Sequence, residues 1–226
     1  MTSKYIAMIP ARLGSQRLKQ KNLQPLEGRP LISHAIEKCL NSGLFDEVWV
    51  NSEADEIGEV ALEFGAKFHK RPAELANNVA TSEQFVAEFF ESHECEALFQ
   101  VHSIAPLLSQ DDITEFVNTY DKGTHDTLIS CILDQIEVAM DDQPVNFTFA
   151  EKTNSQDLTP VQRITWAISA WRRSTYLDAF KAGQTATYSG RIGFYPVNPI
   201  SGHVIKRQSD LDMAAAMLPL MRANQF

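Results

Sequence analysis

Short apolar runs alternate with segments of helical periodicity through the first half of this chain, and few architectures accept that rhythm. Tyr5–Pro10 is an apolar run suited to a buried strand, and a basic loop follows it. Pro30 then stands where a first helical residue should, with Ile32, Ala35, Ile36, Cys39 and Leu40 at helical spacing before Gly43 stops the helix. Phe45–Asn51 reads as the next strand, and Ile57, Val60, Ala61 and Phe64 as a second helix ended by Gly65. Thr81 and Gln84 have the spacing of a capping box ahead of Phe85, Val86, Phe89 and Phe90. Ala97–His102, Ser109–Lys122 and Asp126–Leu133 continue as strand, helix and strand. Such alternation with short connections predicts an α/β fold, a mainly parallel sheet with helices on both faces. Ligands of these sheets sit at the carboxyl ends of the strands, the edge that the basic loop occupies.

The rhythm breaks at about residues 134–163, a polar stretch carrying the alternation Asn146-Phe147-Thr148-Phe149. It reads as an inserted hairpin or arm, a candidate for dimer contact. Later strands are expected at Ile164–Ala170 and Arg191–Pro196, and a last helix from a Ser209 cap to about Arg222. At 226 residues the chain suits one domain spanning 1–226. A net charge of −9 argues against a general nucleic-acid binder, yet a local basic patch can still dominate the field of a cleft. Cys39, Cys95 and Cys131 form no CxxC pair and read as reduced thiols. With no secretory signal and no run long enough to span a bilayer, a soluble cytoplasmic protein without membrane partners is expected.

The basic loop concentrates Arg12, Arg17, Lys19 and Lys21 around Gly14 and Ser15. Arginine can grip phosphate bidentately, lysine acts as a point charge, and backbone amides of a glycine-containing turn can cradle phosphate oxygens. The spacing is neither that of the Walker loop nor the GxGxxG of dinucleotide folds. A solvated basic loop remains the alternative reading of these residues taken alone.

The run from Ile9 through Ala76, with its IPARLGSQR…KN loop and Arg71-Pro72-Ala73-Glu74-Leu75-Ala76, resembles the acylneuraminate cytidylyltransferases, the CMP-sialic acid synthetase group. The resemblance is dense from Ile6 to about Ser82 and thinner to about Met217. It implies a Rossmann-like nucleotidyltransferase fold, CTP and an α-keto sugar acid as substrates, Mg²⁺, and a homodimer. By position it implies triphosphate contacts from Arg12, Ser15, Lys21 and Asn22, and nucleotide contacts from Arg71 and Ser82. Gly14 and Arg17 join this nucleotide-binding set, with Arg12 and Lys21 as the catalytic candidates. Gln100, which opens the looser motif Gln100-Val101-His102-Ser103-Ile104-Ala105-Pro106, is implied at the sugar, as is Arg163.

The chain departs from the family pattern in two places. Val204 and Lys206 fall where the resemblance implies the two aspartates of the metal site, so the metal ligands are unassigned. Asp210 and Asp212 follow Ser209 at a helix start, where acidic residues are favoured without any ligand. Thr165-Trp166 replaces an Asn-Gly pair beside Arg163, which should reshape the acceptor pocket through the Trp166 indole. The expected function is CMP transfer from CTP to a nonulosonic or Kdo-like acid for surface polysaccharide biosynthesis. The alternative is a catalytically silent nucleotide-binding or interaction protein of the same fold; a glycosyltransferase of related fold ranks last. His34 is expected on the exposed side of its helix, and His102 is a pocket candidate.

Overall fold

The computed structural model describes residues 3–77 and 79–224. The first half folds as β1 (Ser3–Pro10), the short strands β2 (Pro25–Leu26) and β3 (Arg29–Pro30), α1 (Leu31–Ser42), β4 (Glu47–Ser52), α2 (Asp55–Glu63) and β5 (Lys67–Lys70). Next come α3 (Ser82–Ser92), β6 (Cys95–Val101), α4 (Gln110–Asp121) and β7 (Thr127–Asp134). The remainder comprises the short strands β8 (Ala139–Met140) and β9 (Gln143–Pro144), then β10 (Val161–Arg172), α5 (Arg173–Lys181), β11 (Ile192–Pro196) and α6 (Gln208–Asn224).

Seven strands form one sheet in the order β11-β7-β10-β6-β1-β4-β5. The sheet is parallel except at β10, which runs antiparallel between β6 and β7. β1 lies inside the sheet between β6 and β4, with both faces covered, which is why Tyr5–Pro10 reads as an uninterrupted apolar run. Tyr5, Ala7 and Ile9 face one core together with Ile32, Ile36, Ile57, Ile113 and Phe116 of α1, α2 and α4. Ile6 and Met8 face the other, with Val86, Phe89, Phe90 and Tyr176 of α3 and α5. α6 packs Leu211, Ala214 and Leu218 on Leu26, Leu31 and Leu107.

Local expectations hold with small displacements. Gly43 ends α1 at φ 65°, Gly65 follows α2 at φ 85°, and Thr81 and Gln84 form their capping box. Pro30 precedes α1 as its cap, at φ −54° and ψ 136°. α6 starts one residue before Ser209, and the Asp210 carboxylate takes the capping role by accepting from the Lys206 and Arg207 amides, each at 2.8 Å. His34 is buried, not exposed: its Nε2 lies 3.0 Å from the Leu26 carbonyl, because the β2–β3 turn covers that flank of α1. β5 and α5 are elements that the sequence reading lacked. The three cysteines are buried and free. Among the described residues, no helix is long and apolar enough to cross a membrane.

Candidate active site

Two adjoining cavities occupy the carboxyl edge of the sheet. The first, about 250 Å³, opens over the basic loop after β1 and receives Arg12, Ser15, Arg17, Lys21 and Asn22 from it. Arg71 enters from the end of β5, His102 and Ser103 from the end of β6, and Lys206 from the segment before α6. The parallel strands thus deliver to one place residues that are far apart in sequence.

The loop is braced. Asn22 is buried; its Nδ2 donates to the Arg12 carbonyl at 3.1 Å, and its Oδ1 accepts from Ser103 Oγ at 2.6 Å. The amides of Leu13 and Ser15 donate to Glu53 Oε1 and to the Leu13 carbonyl, so these two are turned to the protein instead of an anion. Gly14 is exposed and lines neither cavity, and a methyl group there would meet nothing within 4 Å. The loop therefore meets a ligand with its cations, not through a close approach at Gly14.

Lys21 Nζ donates to the Ile205 carbonyl at 3.0 Å. Burial and the neighbouring cations Arg17, Arg12 and Lys206 bring its pKa down to about 8, against a smaller opposing pull from Asp210. Arg71 is buried: its Nε donates to Asn51 Oδ1 at 2.5 Å, its Nη2 to the Asn51 carbonyl at 2.8 Å, and its guanidinium lies 4.1 Å from the Phe85 ring centroid. Burial depresses its pKa to about 10. Arg71 thus stays cationic at neutral pH in a fixed pose. A bound anion would relieve the mutual repulsion of these groups.

The second cavity, about 470 Å³, lies on the α3/α5 side and has aromatic walls from Trp166, Trp171, Tyr176 and Tyr188. Gln100 is buried there, with Nε2 lacking a protein partner. Ser82, expected at the nucleotide, stands at the start of α3 and lines this second cavity together with Thr81. Arg163, expected at the sugar, lines neither cavity. Its exposed Nε donates to Asp134 Oδ2 at 2.5 Å, because the β10–β7 register carries it beyond the cleft. Trp166 lines the cavity from a bulge in β10 and holds a left-handed backbone, φ 59°.

Among the described residues, His102 is the one side chain common to the linings of both cavities. Burial, and then Lys21, push its pKa down to about 4, so the imidazole is neutral at pH 7. The sequence pointed to His102 only as a pocket candidate. Lys206 was marked in the sequence only through the resemblance, which puts it at a metal-ligand position, and Phe85 gave no signal of its own, since helical period marks it as core.

A magnesium site, which the family resemblance implies, finds no donor set here. Among the described residues, no carboxylate lines the first cavity. Asp210 is engaged by backbone amides, Asp212 accepts from Gln208 Nε2 at 2.8 Å, and Val204 packs on the core. Among the described residues, no group of three or more His, Cys, Asp or Glu side chains could hold a metal ion.

A sheet of this order, with a cationic loop after its first strand and a cleft along its carboxyl edge, defines a Rossmann-like nucleotidyltransferase fold. A CTP-complexed CMP:2-keto-3-deoxy-manno-octonic acid synthetase has the same fold, with TM-score 0.73 at 18% identity, covering 96% of this chain and 99% of that one. The chain belongs to the cytidylyltransferase family, whose pattern matches residues 6–217. It is 35% identical over 127 residues to N-acylneuraminate cytidylyltransferase A of Danio rerio, covering 56% of this chain and 30% of that protein. It is 41% identical over 114 residues to pseudaminic acid cytidylyltransferase of Campylobacter jejuni subsp. jejuni serotype O:2, covering 48% of this chain and 49% of that protein. The chain therefore spans at most about half the length of these two curated relatives.

Proposed function

We propose that this chain transfers CMP from CTP to an acidic sugar of the nonulosonic or Kdo-like class, releasing pyrophosphate, as a cytoplasmic step of surface polysaccharide assembly. The observation that carries this reading is the pair of adjoining cavities, one cationic and one aromatic, bordered in common by His102. A transfer between two substrates needs such a junction, and the names of the cytidylyltransferase relatives supply the nucleotide and the acceptor class.

The triphosphate lies among Arg12, Ser15, Arg17, Lys21, Asn22 and Arg71. The nucleoside extends towards the Ser82 hydroxyl, and the sugar lies against Trp166 with Gln100 Nε2 donating to it. The acceptor hydroxyl oxygen attacks the α-phosphorus, the bond to the bridging oxygen breaks, and pyrophosphate leaves. The hydroxyl proton passes to a ring nitrogen of His102. Catalysis consists mainly of alignment and of charge stabilisation on the phosphoryl oxygens by Arg12 and Lys21. Two copies of the chain associate through the arm between β7 and β10.

Pyrophosphate release from CTP, with and without Mg²⁺, against a panel of nonulosonic acids and Kdo tests the reading. Turnover with one of them is expected. Arg12→Ala should lower it by on the order of 10²–10³ while leaving the thermal melt nearly unchanged. Absence of CTP binding by calorimetry would sink the reading. CTP binding without turnover on any acid would favour a nucleotide-binding protein without catalysis, a reading that the missing carboxylates also favour.

A further inference from the structure

Among the described residues, the first cavity is lined by five cations, Arg12, Arg17, Lys21, Arg71 and Lys206, and by no carboxylate. A divalent cation entering it meets only like charge among these lining side chains, whereas a fully ionised triphosphate meets opposite charge from all five. Coulomb's law alone thus makes the cavity selective for the free polyanion over its metal complex.

Lys206 owes its place to the backbone on either side. The preceding Ile205 is fully buried, its amide donates to the Ile104 carbonyl at 2.8 Å, and its carbonyl accepts from Lys21 Nζ at 3.0 Å. On the following side, the Lys206 and Arg207 amides both donate to the Asp210 carboxylate. The stem of Lys206 is thus set beside Lys21. The acidic side chains that oppose these cations are engaged elsewhere: Asp210 caps α6, Glu53 accepts from the Leu13 amide at 2.9 Å, and Glu88 lies 2.9 Å from His69 Nε2.

We propose that Lys206 supplies, from the protein itself, the positive charge facing the triphosphate, so that this chain binds its nucleotide without a divalent cation. The proposal rests on the reading of the cleft as a CTP site. It extends that reading by assigning Lys206 to nucleotide binding and free CTP as the form bound.

Calorimetric titration of CTP in EDTA and in excess Mg²⁺ tests it on the wild type, Lys206→Ala and Lys206→Arg. The wild type should bind CTP in EDTA at least as tightly as in Mg²⁺. Lys206→Ala should lose about tenfold or more of the affinity in EDTA, the scale of a charge-assisted contact, at an unchanged melting temperature. Lys206→Arg, which keeps the charge, should retain binding. Binding by the wild type only when Mg²⁺ is present would overturn the proposal and leave the CTP reading intact. Equal affinity of wild type and Lys206→Ala in EDTA would also overturn it. No CTP binding in either condition would overturn both.

Discussion

His102 joins the two halves of the cleft, and its protonation state follows from its surroundings. It is half-buried and shares the first cavity with Lys21, so desolvation and the neighbouring cation both disfavour the charged imidazolium and the pKa falls to about 4. A base must be unprotonated to accept a proton. Activity should therefore be supported above that value and lost as pH falls through it. The expected kcat/KM profile, which reports the free enzyme, has an acid limb near pH 4. His102→Gln should remove that limb and lower kcat by on the order of 10²–10⁴ with CTP affinity unchanged. A variant retaining kcat within a few-fold would place the base elsewhere. Arg71 shows the opposite use of burial: two bonds to Asn51 and the Phe85 face fix a guanidinium whose pKa, near 10, still leaves it cationic at neutral pH.

At the scale of the element, β10 explains the aromatic cavity. Its register shifts between Ile164 and Ser169, and Trp166 takes φ 59° at that bulge. The bulge is over-determined: Thr165 Oγ1 is 2.9 Å from Ser130 Oγ, the Ile168 amide donates to Ser130 Oγ at 3.1 Å, and the His102 amide donates to the Ala167 carbonyl at 3.0 Å. A non-glycine residue held there carries strain of about 1–2 kcal/mol. Trp166→Gly and Trp166→Ala both remove the indole, but only glycine relieves the backbone. The glycine variant should be the more stable of the two by about 1 kcal/mol in urea denaturation. The reverse order would mean that the bulge relaxes to an ordinary φ once the ring is gone. Trp166 illustrates how far the sequence could be read: the substitution was visible, but neither the bulge nor the wall that the indole builds follows from local pattern. β1 and α1 were legible because period and adjacency are local properties. The place of β10 between β6 and β7 was not, since strand order is decided by packing across the sheet. The same holds for His34, whose helical face is covered by a turn, and for Arg163, whose motif survives while the register carries it away from the cleft. Lys21 and the Ile205 carbonyl meet across 184 positions, a contact that no spacing rule could have found.

The whole molecule sets a positive cleft in a chain of net charge −9. The acidic surplus lies outside the first cavity, so the field of the cleft is local and its sign is opposite to that of the protein. A second feature at this scale is the arm between β7 and β10. Its two short strands, β8 and β9, pair only with each other, and Asn146 ties it down through Nδ2 bonds to the carbonyls of Ile136 and Thr159. The backbone of the arm is therefore ordered locally while its apolar side chains face outward: Ile136 is 59% exposed, Met140 69%, Val145 55% and Phe149 73%. Four large apolar groups exposed on one short insertion are suited to a protein contact, and a second copy of the chain would cover them. Sedimentation should accordingly show a dimer. The double substitution Met140→Glu and Phe149→Glu should shift it to a monomer, because each carboxylate would have to be desolvated at the contact. CTP affinity should be unchanged in that variant, since neither residue lines the first cavity. A wild-type protein that sediments as a monomer, or a double variant that remains dimeric, would show that the arm serves another partner or that the copies meet on a different face.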